Sequence, residues 1–269
     1  MTYTTLAIDW PEAGVARLRL SRPEEMNTLR LELLDDLNAA IDEVLAEQVR
    51  VLVITGTGRA FCGGAHLKYF AGPHAIFTER FTTRDRYFER IARLFDKIEA
   101  IGIPVIAGIN GFAMGGGFEL ALACDFRVFA ETARVGLPEA RLGATPGAGG
   151  VQKLARHIGR GKALEWIMLA RHVEAAEVDA LGLAYRVVAP NALDGTCLEL
   201  ARELMLLSPQ ALTQCKMSIH LSGYVDLRSA RRFGVEALSA LVGSADWLEG
   251  MSAFVEKRKP NFSPSGGRH

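Results

Sequence analysis

Residues 103–125 restrict what this chain can fold into more than any other stretch. They read as a buried apolar strand, a turn, three consecutive glycines (Gly115, Gly116 and Gly117), and a short helix with one acidic residue, Glu119, in its first turn. Glycines at a helix start let a ligand approach the backbone without meeting a Cβ. The helix start itself offers unpaired N–H donors and the positive end of the macrodipole. Such a place suits an oxyanion. The same residues also fit a tight packing turn in which Glu119 caps its own helix. They do not fit a dinucleotide site, because Leu120 stands where that fingerprint needs its last glycine.

The balance of the chain narrows the ligand. With 269 residues, 49% of them hydrophobic, it can bury a large core as one big domain or a domain with an appendage. Lys plus Arg and Asp plus Glu each number 31, so no net field recruits nucleic acid or an anionic membrane, and any anion must be held locally. The first residues lack the basic and apolar regions of a signal peptide, and no apolar run approaches the ~18 residues a membrane span needs. A cytoplasmic protein is expected. Cys62, Cys124, Cys197 and Cys215 show neither a CxxC pair nor Cys/His ligand spacing, which predicts reduced thiols and no metal site.

Along the chain, residues 4–9 and 15–20 read as strands joined at 11–14, followed by a polar turn at 21–27. Leu29, Leu33, Leu34, Leu37, Ile41 and Leu45 predict an amphipathic helix from 28 to about 47, with Leu29 one turn before Leu33 on the same face. The run Val51-Leu52-Val53-Ile54 predicts a strand buried on both faces. A second glycine-rich stretch, 56–68, follows it directly, in the region beyond strand ends where α/β folds bind ligands. Residues 69–83 show no period and read as a loop forming a lid or pocket wall, ahead of a helix at 84–100. Short strands are expected at 126–129 and 134–137, the second ending at Pro138-Glu139. The glycine-rich turn 143–150 leads into a helix at 151–158, and neither it nor Gly159-Arg160-Gly161-Lys162 matches a P-loop. From 161 onward the pattern is mostly helical: 162–170, 175–181, 194–206, 209–219, 227–241 and 245–257. These patterns divide the chain into an α/β core (1–190) that carries the ligand site and a helical region (191–269) with a frayed tail at 263–269.

Several stretches coincide in order with one family. They are Arg22-Pro23 with Asn27, Ala60 through Lys68, Pro104 through Ala107 with Gly115 through Ala121, Pro138-Glu139, Pro146 through Gly150, and Glu256 through Pro260. In these the chain resembles the crotonase, or enoyl-CoA hydratase/isomerase, superfamily over essentially its whole length, and within it most resembles enoyl-CoA hydratase. The resemblance implies an α/β spiral of ββα units with a helical C-terminal trimerisation region, assembled as a homotrimer or homohexamer. It implies an acyl-CoA thioester substrate in fatty acid metabolism. It implies no cofactor or metal, coenzyme A being part of the substrate.

By motif match, the backbone N–H groups of Ala65 and Gly116 would form an oxyanion hole for the thioester carbonyl. Ala65, His66, Leu67, Lys68 and Gly116 would contact substrate, and Glu119 and Glu139 would be the catalytic carboxylates. The chemistry suits those groups. Adding water to a double bond conjugated with a thioester builds negative charge on the carbonyl oxygen, where two preorganised donors stabilise it. Water must lose a proton as it attacks C3 while C2 gains one, which two carboxyl groups can do, with Glu119 as base and Glu139 as acid. His66 stands where the family more often has aspartate, and either packs or modifies the acyl or CoA pocket. Phe118 replaces a smaller residue and either narrows the pocket or fills the core. Lys68, and Lys257 or Lys259 of a neighbouring subunit, could meet CoA phosphates, although the last two also suit a solvated helix end. The resemblance also implies that family members acting as pure double-bond isomerases can operate with a single carboxylate, matching Glu139, so the presence of Glu119 favours hydration. A specialised lyase or dehydratase and a noncatalytic acyl-CoA-binding protein are the other readings.

Overall fold

The computed structural model describes residues 3–73 and 75–262. The chain begins with an antiparallel pair, β1 (Leu6–Glu12) and β2 (Val15–Leu20), turning at Gly14, whose φ is +80°. Pro11 and Glu12, expected in the turn, belong to β1. The ladder is irregular between Asp9 and Glu12, which accommodates a proline that has no N–H to donate.

Residues 21–30 run against the turn at 57–61, and one side chain joins the two. Asn27 is fully buried with φ +53°, and its amide nitrogen donates to the carbonyls of Thr57 (3.0 Å), Ala60 (2.8 Å) and Phe61 (3.3 Å) while its Oδ1 accepts the Arg22 N–H. Leu29 does not join the helix that its spacing predicts. It forms a parallel bridge with Ala65, its N–H donating to the Gly64 carbonyl at 2.8 Å, and α1 (Leu31–Ala46) starts two residues later. Its side chain is buried in either arrangement, so helical spacing alone could not decide between them.

Strands then alternate between two sheets. β3 (Val51–Gly56), β5 (Val105–Ile109) and β7 (Phe126–Ala130) pair in parallel. β4 (Ala60–Cys62), β6 (Phe112–Met114) and β8 (Arg134–Gly136) pair in parallel in the second sheet. β9 (Val173–Glu174) and β10 (Arg186–Val188) extend the two, giving orders β1-β2-β3-β5-β7-β10 and β4-β6-β8-β9. The helices between them are α2 (Arg80–Thr83), α3 (Glu89–Ala100), α4 (Gly116–Ala123), α5 (Gly150–Ile158), α6 (Arg160–Met168) and α7 (Ala175–Ala180). From β3 to α5 each turn of the spiral lays one strand in each sheet and then helix, the α/β architecture of ββα units, whereas β1 and β2 both lie in the larger sheet.

The all-buried strands β3 and β5 pack against Leu37 and Ile41 of α1, Phe95 and Ile98 of α3, and Cys197, Leu200 and Ala201 of α8 (Leu193–Met205) in one core. Thus the first helix beyond residue 190 packs on the large sheet. α9 (Pro209–Ser222), α10 (Leu227–Leu241) and α11 (Ala245–Val255) follow it. Buried Lys216 ties α9 to the core, its Nζ bonding the carbonyls of Ile98 and Ile103 and pairing with Asp125 at 2.9 Å. A 3₁₀ turn (Leu67–Tyr69) leads into the segment read as an aperiodic loop, α2 ends that segment, and a π-turn (Arg84–Phe88) rather than regular helix leads into α3. The expected tail, 263–269, lies outside the described residues. Among those described, no helix is long and apolar enough to cross a membrane.

Candidate active site

β4 and β6 lie side by side, and the chain leaves both through glycines of positive φ, Gly64 (+85°) and Gly115 (+52°). The two exits touch. A Cβ on Gly64 would lie 2.3 Å from the Met114 carbonyl oxygen and 3.2 Å from the Gly116 nitrogen, and one on Gly117 would lie 2.0 Å from the Cys62 carbonyl oxygen. A Cβ on Gly116 would meet Leu29 Cδ1 at 2.8 Å and the Ala65 nitrogen at 3.8 Å. Only glycine permits this approach. It brings the N–H groups of Ala65 and Gly116 together, and neither donates to a protein acceptor among the described residues. Gly116 opens α4, so its N–H is one of the orphan donors of a helix start.

Glu119 lies in the first turn of α4 and is buried. Its Oε1 accepts the N–H groups of Ala148 and Gly150, both at 2.8 Å. Burial raises its pKa, while those two hydrogen bonds and the charge of Lys153 oppose the rise. Glu139 opens a 3₁₀ turn (Glu139–Leu142) directly after β8 and Pro138. A Cβ on Gly115 would lie 2.8 Å from its Oε1, so the carboxyl faces the glycine turn. Its Oε2 is buried without a hydrogen-bond partner among the described residues. Burial first, and then the charge of Glu119, push its pKa up to about 7. The two carboxyl groups therefore differ: one is held by backbone donors, and the other is partly free and ready to keep a proton near neutrality. Together with two unpaired N–H groups, they can move protons beside a polarised carbonyl.

The remaining predicted residues divide by exposure. His66 is buried; its Nδ1 lies 2.9 Å from Thr28 Oγ1 and its ring meets Tyr69 edge-on. Burial, reinforced by the charge of Arg30, lowers its pKa and favours the neutral imidazole. Leu67 and Lys68 are exposed. Phe118 is fully buried in the core, as are the thiols of Cys62, Cys124 and Cys197, while Cys215 is exposed. Lys257 and Lys259 lie exposed beyond the end of α11. Sequence reasoning missed the donors that hold Glu119. The glycine-rich turn 143–150 was the available signal, since a Cβ on Gly150 would sit 2.8 Å from both Glu119 Cγ and Oε1. It also missed Tyr87, whose hydroxyl bridges Leu29 and His66.

Comparison with known proteins shows the family. The sequence model of the family described as enoyl-CoA hydratase/isomerase matches residues 11–265. A short-chain-enoyl-CoA hydratase of Clostridium acetobutylicum is 34% identical, over 92% of this chain and 94% of that protein. An enoyl-CoA isomerase/hydratase of Mycosarcoma maydis is 34% identical, over 98% and 99%. The crystal structure of an enoyl-CoA hydratase from Bacillus anthracis superposes with a TM-score of 0.90 at 36% identity, covering 97% of this chain and all of that one. With the sequence model, the relatives and the superposed fold all in agreement, the chain belongs to the enoyl-CoA hydratase/isomerase family of the crotonase superfamily.

Proposed function

We propose that the protein is an enoyl-CoA hydratase, adding water across the 2,3 double bond of a 2-enoyl-CoA thioester. The observation that carries this reading is the pair of dissimilar glutamates beside two unpaired N–H groups. The Ala65 and Gly116 N–H groups bind the thioester oxygen and take up the enolate charge as it develops, a role in which losing one donor typically costs roughly 10²–10³ in rate. Glu119, held by Ala148 and Gly150, accepts the proton of the attacking water. Glu139, protonated up to about pH 7, delivers one to C2. Coenzyme A enters as part of the substrate and the reaction needs no further cofactor. The neighbouring His66, Leu67 and Lys68 form the wall along which the thioester enters.

The assay is loss of the conjugated enoyl-thioester absorbance on 2-enoyl-CoAs of different length and branching, with Glu119→Gln and Glu139→Gln beside the wild type. Rapid loss with the wild type and collapse in both variants supports hydration. No loss on any member overturns it.

A second reading, double-bond isomerisation, rests on Glu139 alone. A carboxyl with one unpartnered oxygen and a pKa of about 7 can take a proton from one carbon and return it to another. Conversion of a 3-enoyl-CoA that survives Glu119→Gln would favour it.

The proposed assembly is a homotrimer or homohexamer built on α9 to α11. Those helices hold Ile219 (70% exposed), Leu227 (85%), Phe254 (84%) and Val255 (79%), and a second copy of the chain is the occupant that the family resemblance implies.

A further inference from the structure

We propose that Tyr87 is the positioning residue of the oxyanion hole, fixing both N–H donors through one hydroxyl. This rests on the reading of Ala65 and Gly116 as donors to a thioester oxygen. Tyr87 is fully buried and sits in the π-turn Arg84–Phe88, a local departure from helical spacing of the kind that recurs at functional sites. Its hydroxyl donates to the Leu29 carbonyl at 2.5 Å and accepts the His66 N–H at 3.0 Å.

Those two partners lead to the two donors. His66 follows Ala65 in the chain. Leu29 is the bridge partner of Ala65 and donates to the Gly64 carbonyl at 2.8 Å, and its Cδ1 occupies the space beside Gly116. One phenol oxygen thus bears on the segment that carries the first donor and on the residue that packs against the second. The ring has little freedom to move. Tyr69, Phe70, Phe77 and Phe88 surround it with centroid separations of 5.7, 5.5, 5.3 and 5.8 Å. Burial also raises the phenol pKa, so the hydroxyl keeps the proton it gives to Leu29.

Without that oxygen, a buried carbonyl and a buried N–H lose their partner, and the backbone on either side of Ala65 must shift to satisfy them. A shift of about 1 Å at a reacting geometry can cost roughly 10²-fold. If the hydroxyl served only to satisfy its own burial, its loss would lower stability and leave carbonyl polarisation unchanged.

The test uses Tyr87→Phe, which removes only the oxygen, and bound cinnamoyl-CoA, whose absorbance moves to longer wavelength when its thioester carbonyl is polarised. The expected result is a clear red shift with wild-type enzyme that is mostly lost in Tyr87→Phe. On a short 2-enoyl-CoA, kcat should fall roughly 10–100-fold with KM and the pH profile little changed. Phe77→Leu, which loosens the same ring cluster and spares the hydroxyl, should keep the red shift. Retention of the shift and of kcat in Tyr87→Phe overturns the inference, as does equal loss of the shift in both variants. Absence of any shift or turnover in the wild type overturns the oxyanion-hole reading itself, and this inference with it.

Discussion

Glu139 carries a raised pKa partly because Glu119 is close enough for its negative charge to oppose ionisation. The coupling predicts a shift measurable without turnover. In Glu119→Gln the Glu139 carboxyl should titrate below the wild-type value of about 7, as followed by its infrared carboxyl band or by carbon-13 NMR. An unchanged titration would mean that burial alone sets it.

The same pKa gives a stability prediction. The folded Glu139 holds its proton more tightly than the unfolded one, so its favourable contribution is complete below pH 4.5 and is lost as pH rises to about 7. Glu139→Gln, which cannot ionise, should therefore melt higher than wild type at pH 8 and close to it at pH 4, with each kcal/mol worth about 2–4 °C in a chain of this size. Scanning calorimetry at the two pH values checks both sign and window.

Gly150→Ala should disable the enzyme while leaving it folded. The new methyl would lie 2.8 Å from Glu119 Cγ and Oε1 and would push the carboxylate off its two backbone donors. The expected cost in kcat is roughly 10²-fold, with circular dichroism unchanged.

Asn27→Ala tests the fold beneath the site. It strips the Thr57, Ala60 and Phe61 carbonyls of a shared donor, leaves the Arg22 N–H unpaired, and asks alanine to hold φ +53°. Urea titration should show a loss of about 2–4 kcal/mol.

For the assembly, Leu227→Asp with Phe254→Asp should convert the trimer or hexamer expected for wild type into smaller species. Light scattering coupled to size exclusion gives the mass directly, and a monomeric wild type would dispose of the assembly proposal.

Much of this was legible in the sequence, for reasons that can be assigned. Val51 through Ile54 announced a buried strand because four consecutive apolar residues need cover on both faces. The glycines at 115–117 followed by Glu119 marked a candidate site because backbone approach and an acidic side chain coincide there. Other elements escaped. β9 and β10 span two and three residues, too few for a period to show within a region that reads as helical. Leu29 carried a helical spacing, yet pairing with Ala65 across the fold captured it. Tyr87 fell inside the regular helix expected at 84–100, and nothing in that spacing shows the π-turn or the partners its hydroxyl meets far away in the chain.

The paired departures of β4 and β6 have a consequence for how the site tolerates change. Adjacent strands of a sheet lie about 4.7–4.9 Å apart, whatever side chains they carry. Since Ala65 and Gly116 lie just beyond the ends of these neighbouring strands, the backbone pairing of β4 with β6 anchors the two segments that carry their N–H groups, a ruler made of main chain. Acyl pockets of quite different size could be carved around that ruler by exchanging side chains, while the proposed grip on a carbonyl oxygen keeps its backbone anchorage.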